Sequence, residues 1–177
     1  MSLGGRATQS YKDDPVAQAV EKAVEAGIHV VVAAGNSGPG KETIATPAIA
    51  PDVITVGALD DRGTVERKDD KVAYFSSRGP TKYDKLPKPD VVSPGVKIMA
   101  PDADGDGYIS HSGTSMATPL TAGSVALILQ KSPGISPKKL KEILMKTADP
   151  LKDVDVNTQG AGVIDPVEAV ENLETTV

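Results

Sequence analysis

The stretch "VVVAAGNSGPGKET", residues 30–43, decides how this chain is read. A run of valines and alanines ends in a glycine-rich loop and a lysine. Gly35 to Lys41 fits G-x-x-x-x-G-K, the pattern of a loop that cradles phosphate. The same residues also describe a buried strand that ends in an amide side chain, Asn36, a donor held where negative charge can develop. The cradle asks for Ser or Thr directly after the lysine and for a helix whose first amides face the phosphates. Glu42 stands after Lys41 instead, where a carboxylate would repel phosphate, and Pro47 and Pro51 follow at once. Lys41 therefore reads as a solvated loop lysine, and Asn36 carries the weight.

The chain has 177 residues, enough for one domain with a layered core. Its net charge of −5 leaves no basic stripe for nucleic acid, so no nucleic-acid partner is expected. It has no cysteine, which excludes disulfides and thiolate metal sites. No apolar run reaches the ~18 residues of a membrane span, and no membrane contact is expected. With one Phe and no Trp, the core has to be aliphatic.

Asp14 and Pro15 open an amphipathic helix that Gly27 stops, and Ile28 to Ala34 then reads as a buried strand. "VITVGAL", Val53 to Leu59, is a second strand. Asp60 to Asp70 is a charged, solvated loop. Short strands and turns follow in "KVAYFSSRGPT" and "KPDVVSPGVKIMAP". "SMATPLTAGSVALILQK", from Ser115, is apolar on nearly every face, which predicts a central buried helix. Ser136–Pro137 and Asp165–Pro166 open two further helices. Helix, short turn and buried strand in succession predict an α/β fold of three layers around a mostly parallel sheet.

The second informative loop is "SGTSMATP", Ser112 to Pro119. Ser115 lies where a Gly-Thr segment enters the apolar helix. Its hydroxyl and backbone amide meet the positive end of the helix dipole. By local pattern a helix cap explains it equally well. It does not fit the hydrolase elbow G-x-S-x-G, because Ala117 takes the last glycine place.

Taken together, "GTSMATP", "AAGNSG", "MSLGG", "YFSSRGP", "KPDVVSPG" and "VITVGA" resemble, in this order-consistent set, segments of the subtilisin-like serine proteases. The resemblance implies Ser115 as the attacking serine and Asn36 as the side-chain donor to the oxyanion. It implies that Ser2, Leu3 and Gly4 offer backbone to a peptide or protein substrate. Ala33, Ala34 and Gly35 would form a wall of the specificity pocket. The family follows "GTSMATP" with His-Val-Ala-Gly, whereas Leu120, Thr121, Ala122 and Gly123 stand here, a change that bears on packing.

Such a serine needs a histidine base and an aspartate, which in this family precede it in the order Asp, His, Ser. The only histidines are His29, inside the strand of "GIHVVV", and His111, in "SHSGTS". Neither matches the family's base. Residues 1–177 are therefore expected to be the C-terminal portion of a peptidase domain, truncated on the N-terminal side. An N-terminal half would be the missing partner, and the exposed sheet edge favours self-association. The competing class is a non-catalytic binding domain on a truncated fold. No cofactor is required. "DADGDGYI" places Asp102, Asp104 and Asp106 at alternate positions, as in a calcium loop, but Gly113 stands where a bidentate glutamate is needed. That leaves a weak Ca²⁺ site or a solvated acidic turn. By family analogy alone, carbonyls around Ala48 to Val53 offer a second cation site.

Overall fold

The computed structural model describes residues 1–174. Asp14 caps the first helix, α1 (Pro15–Glu25), by accepting from Val16 N at 3.0 Å and Ala17 N at 2.9 Å. Gly27, at φ +90°, ends it, and the amides of Gly27 and Ile28 return to the carbonyls of Val24 and Ala23. That paired return is the Schellman close of a helix, which needs a residue tolerant of the left-handed region.

Strand β2 (Val31–Ala33) is shorter than the apolar run around it. The chain leaves the Schellman turn facing solvent, so Ile28 is 57% exposed and pairing begins only at Val31. This corrects the expected strand from Ile28 to Ala34. β4 (Ile54–Asp60) is the central strand of the sheet. β2 pairs with it in parallel along one edge, with Ala33 opposite Val56. β6 (Val91–Pro94) pairs with it in parallel along the other, with Val91 opposite Val56. The two-residue β5 (Lys71–Val72) adds antiparallel at the end of β4.

Two smaller ribbons lie outside this sheet. β1 (Gly5–Arg6) pairs with β3 (Ala45–Thr46), and β7 (Ile98–Pro101) pairs with β8 (Tyr108–His111) as a hairpin. Met1 runs along the free edge of β2, donating from its amino group to Val31 O at 2.5 Å and accepting from Ala33 N at 3.1 Å.

Adjacent strand residues point to opposite faces, and here both faces are covered. Val32 and Ala34 pack with Ala17, Val20 and Val24 of α1. Val31, Ile54, Val56 and Val91 pack on the other face against the long helix α2 (Thr114–Lys131). Behind α2 lie α3 (Pro137–Lys146), capped by Ser136, and α5 (Pro166–Glu174), with the short α4 (Val156–Gln159) in the connection. Leu140, Ile143, Leu144 and Ala169 complete that core. The three layers and the mostly parallel sheet stand as expected.

Helix α2 is buried on one side rather than all round. Ala117, Val125 and Ile128 enter the core, while Leu120 and Leu127 are 41% and 54% exposed. Its buried Thr118, Thr121 and Ser124 return hydrogen bonds to carbonyls four residues back, at 2.8, 3.2 and 3.1 Å. Those hydroxyls are thus satisfied inside the helix and pack as small apolar groups. Among the described residues, no helix is long and apolar enough to cross a membrane.

Candidate active site

The ends of β2 and β6 bring two loops to one edge. After β2 the backbone turns at Gly35, φ +109°, a conformation that side chains disfavour. A Cβ there would also stand 2.8 Å from Ser77 Oγ and 3.0 Å from Ala45 Cβ. Gly35→Ala is therefore expected to displace Asn36 and lower stability by about 1–3 kcal/mol. A thermal melt beside a conservative control at Gly40, where a Cβ meets only Thr43 Cγ2 at 3.8 Å, checks this.

No helix follows Lys41; the chain turns into β3, which removes the phosphate-cradle reading. Instead Asn36 Oδ1 accepts from Thr114 N at 2.9 Å and from Thr114 Oγ1 at 3.0 Å. Gly35 N in turn donates to Thr114 Oγ1 at 3.2 Å. Gly113, before α2, offers no side-chain cap, so an amide from another element caps the helix. Because the backbone N–H of Thr114 must meet an oxygen, the Asn36 amide is oriented with Nδ2 left free to donate elsewhere. The next amide, that of Ser115, lies in the first turn, where N–H groups have no intrahelical acceptor.

Pro119 adds a second consequence. It has no N–H to give to the carbonyl four residues back, which is Ser115 O. Ser2 Oγ donates to that carbonyl at 2.9 Å, and Ser115 Oγ donates to Ser2 O at 3.2 Å. The proline in "SMATP" thus ties the start of the chain to the first turn of α2.

Ser115 and Asn36 open on one cavity of about 690 Å³. Ser2, Leu3, Gly4, Ala33 and Gly35 line it. Ala34 does not. It is fully buried, its N–H bonded to Val56 O and its carbonyl to Ala45 N, because the next residue along a strand faces the opposite side. Thr114, Ala45, Arg6, Glu42 and Lys82 also border the cavity and went unread in the sequence. Thr114 had a signal, its place beside Ser115; the others reach the cavity only through tertiary pairing.

Neither histidine lines the cavity. His29 sits before β2, where burial lowers its pKa and a hydrogen bond with the Ile135 backbone partly offsets this. His111 is exposed at the end of β8, paired with Ile98. Asp102, Asp104 and Asp106 lie in or beside the turn of the β7–β8 hairpin, where Asp102 Oδ1 accepts from Asp104 N at 3.0 Å. Among the described residues no group of three or more His, Cys, Asp or Glu side chains is placed to hold a metal ion. Asp104 and Asp106 are exposed and Asp102 is half-buried.

The carbonyls between Ala48 and Val53 do face cations, but these are lysines. Lys141 Nζ donates to Pro51 O at 2.7 Å and to Val53 O at 2.9 Å. Lys88 Nζ reaches Val53 O at 3.2 Å. Asp90 lies between them, 2.7 Å from Lys88 and 3.0 Å from Lys141. Two ammonium groups thus meet at the Pro51 and Val53 carbonyls.

The comparisons with known proteins agree with this architecture. Residues 1–162 match the subtilase family of peptidases. Serine protease AprX of Bacillus subtilis (strain 168) is 49% identical over 185 residues, covering 96% of this chain and 42% of AprX. The human membrane-bound transcription factor site-1 protease is 34% identical over 184 residues, covering 99% of this chain and 16% of that protein. Among solved structures, the patellamide maturation protease PatA superposes with a TM-score of 0.79 at 28% identity, over 99% of this chain and 62% of PatA. The prenylagaramide maturation protease PagA gives 0.77 at 32% identity, over 97% and 60%. The chain belongs to the subtilase family, and its fold is the subtilisin-like α/β fold. It spans less than half the length of AprX and about three fifths of the solved neighbours.

Proposed function

We propose that this chain is the nucleophile-bearing portion of a subtilisin-like serine endopeptidase. Ser115 attacks the scissile carbonyl to form an acyl-enzyme. Asn36 Nδ2 and the Ser115 amide receive the oxyanion, and the base and its aspartate come from an N-terminal half outside residues 1–177. Ser2, Leu3 and Gly4 offer backbone to the substrate. The observation that carries this reading is the Thr114 bridge, which aims the Asn36 amide at the first turn of α2. Donors fixed before reaction meet the developing charge without reorganising, and this is why their loss costs rate rather than binding.

The test exploits the two ends of the Asn36 amide. In the full-length protease, Asn36→Asp keeps an oxygen toward Thr114 and removes the Nδ2 donor. It is expected to lower kcat by about 10²–10³-fold with KM little changed. Asn36→Ala removes the cap as well and is expected to cost about 1 kcal/mol of stability besides. An Asn36→Asp enzyme with unchanged kcat would remove Asn36 from the oxyanion role.

A further inference from the structure

We infer that the cavity beside Ser115 selects an acidic substrate side chain, through Arg6 and Lys82. The inference rests on the protease reading above and deepens it, since the residue whose carbonyl meets Asn36 and Ser115 places its side chain in this cavity.

The wall near Ser115 is small and uncharged, formed by Gly4, Ala33, Gly35 and Ala45. Three charged residues border the cavity: Arg6, Glu42 and Lys82. Glu42 is already engaged. Lys85 Nζ lies 2.5 Å from its Oε1, and Lys85 is held there by a second bond, to Lys82 O at 2.8 Å. The Lys85 hydrogen bond and charge hold the Glu42 carboxyl below its usual range, with Lys82 adding to the effect. Glu42 therefore has its countercharge without a substrate.

Arg6 and Lys82 form no such contact. Among the described residues no ion pair involves either one. Lys82 Nζ stands 5.5 Å from the Tyr83 ring centroid, a contact that leaves its charge in place. Register places the Arg6 backbone: it pairs with Ala45 across the β1–β3 ribbon, and the Ala45 side chain forms the cavity wall behind Gly35. Two cations without an ion-pair partner, one of them within the field of the Lys85-paired Glu42, thus border a space whose inner wall is neutral. A carboxylate entering there gains attraction that an amide of the same shape lacks, and a lysine is repelled.

The experiment uses the full-length protease and fluorogenic peptides differing only in Glu, Gln or Lys at the residue before the cleaved bond. The kcat/KM for Glu is expected to exceed that for Gln by about fivefold at low salt, as for partly exposed charge pairs, and the ratio should fall toward one in ~1 M salt. The double variant Arg6→Glu, Lys82→Glu should invert the order in favour of Lys, and Arg6→Lys should keep the Glu preference. Melting curves confirm that each variant is folded. Equal kcat/KM for Glu and Gln, or a preference for Lys in the unaltered enzyme, overturns this inference and leaves the protease reading standing. Absence of any turnover sensitive to Ser115→Ala overturns the protease reading and this inference with it.

Discussion

Purified residues 1–177 are expected to hydrolyse a chromogenic peptide no faster than the same chain carrying Ser115→Ala. A serine hydroxyl near neutral pH keeps its proton unless a base stands beside it. Here the Ser115 hydroxyl donates to the Ser2 carbonyl at 3.2 Å, and neither His29 nor His111 lines the cavity. In subtilisin, loss of the histidine alone costs about 2 × 10⁶ in kcat, nearly as much as loss of the whole triad. A loss of at least that order is expected between the full-length protease and residues 1–177. Serine-directed fluorophosphonates should label Ser115 correspondingly slowly. Turnover by residues 1–177 that Ser115→Ala abolishes would overturn the expectation and identify His111, or a histidine from a second copy, as base.

The largest expected loss of stability is at Asp90. This buried carboxylate accepts from Thr55 N at 2.7 Å and pairs with both Lys88 and Lys141. Asp90→Ala leaves a buried N–H and two ammonium groups without their anion, and breaking a buried pair from one side costs about 3–5 kcal/mol. That is a large share of the 5–15 kcal/mol typical of a domain. Lys88→Met should cost less, because Lys141 continues to serve Asp90, Pro51 O and Val53 O. Urea midpoints should therefore fall furthest for Asp90→Ala, and equal midpoints for the two variants would refute the asymmetry.

The same cluster gives stability a pH dependence. Burial lowers the Lys88 pKa from 10.5 to about 8, against the opposing pull of Asp90, with Lys141 adding to the lowering. Between pH 8 and 10.5 the unfolded chain thus holds a proton that the folded chain has released. Stability from this group rises with pH across that window. Burial also raises the pKa of the neighbouring Glu21 carboxyl, against the hydrogen bond from the Asp52 backbone and the charge of Lys88. Lys88→Met should remove the rise, which urea titrations at pH 7.5 and pH 9.5 would show.

Much of the site was legible because its residues stand at element boundaries, where local chemistry is strict. Gly35 with Asn36, and Gly113 with Ser115, mark a strand end and a helix start. Pro119 frees a particular carbonyl wherever its helix lies. Asp14, Gly27, Ser136 and Asp165 act as cap or stop for the same local reason. The parallel sheet followed from apolar runs that do not alternate with polar residues.

What the sequence could not decide depends on partners far along the chain. Strand β2 begins at Val31 because β4 offers pairing only from Ile54, so the apolar Ile28 is left outside. Ala33 and Ala34 look alike in sequence, yet the pleat sends one to the cavity and the other to the core. Arg6, Glu42 and Lys82 meet at one cavity through the β1–β3 ribbon and the Lys85 contact, with no pattern joining them in the chain. Lys88, Asp90 and Lys141 are a similar case: Lys141 joins the other two only because α3 packs against the loop at Val53. Composition and local motifs determine which groups are present and how each element starts and stops; long-range packing decides which of those groups share a cavity and which charges lose their water.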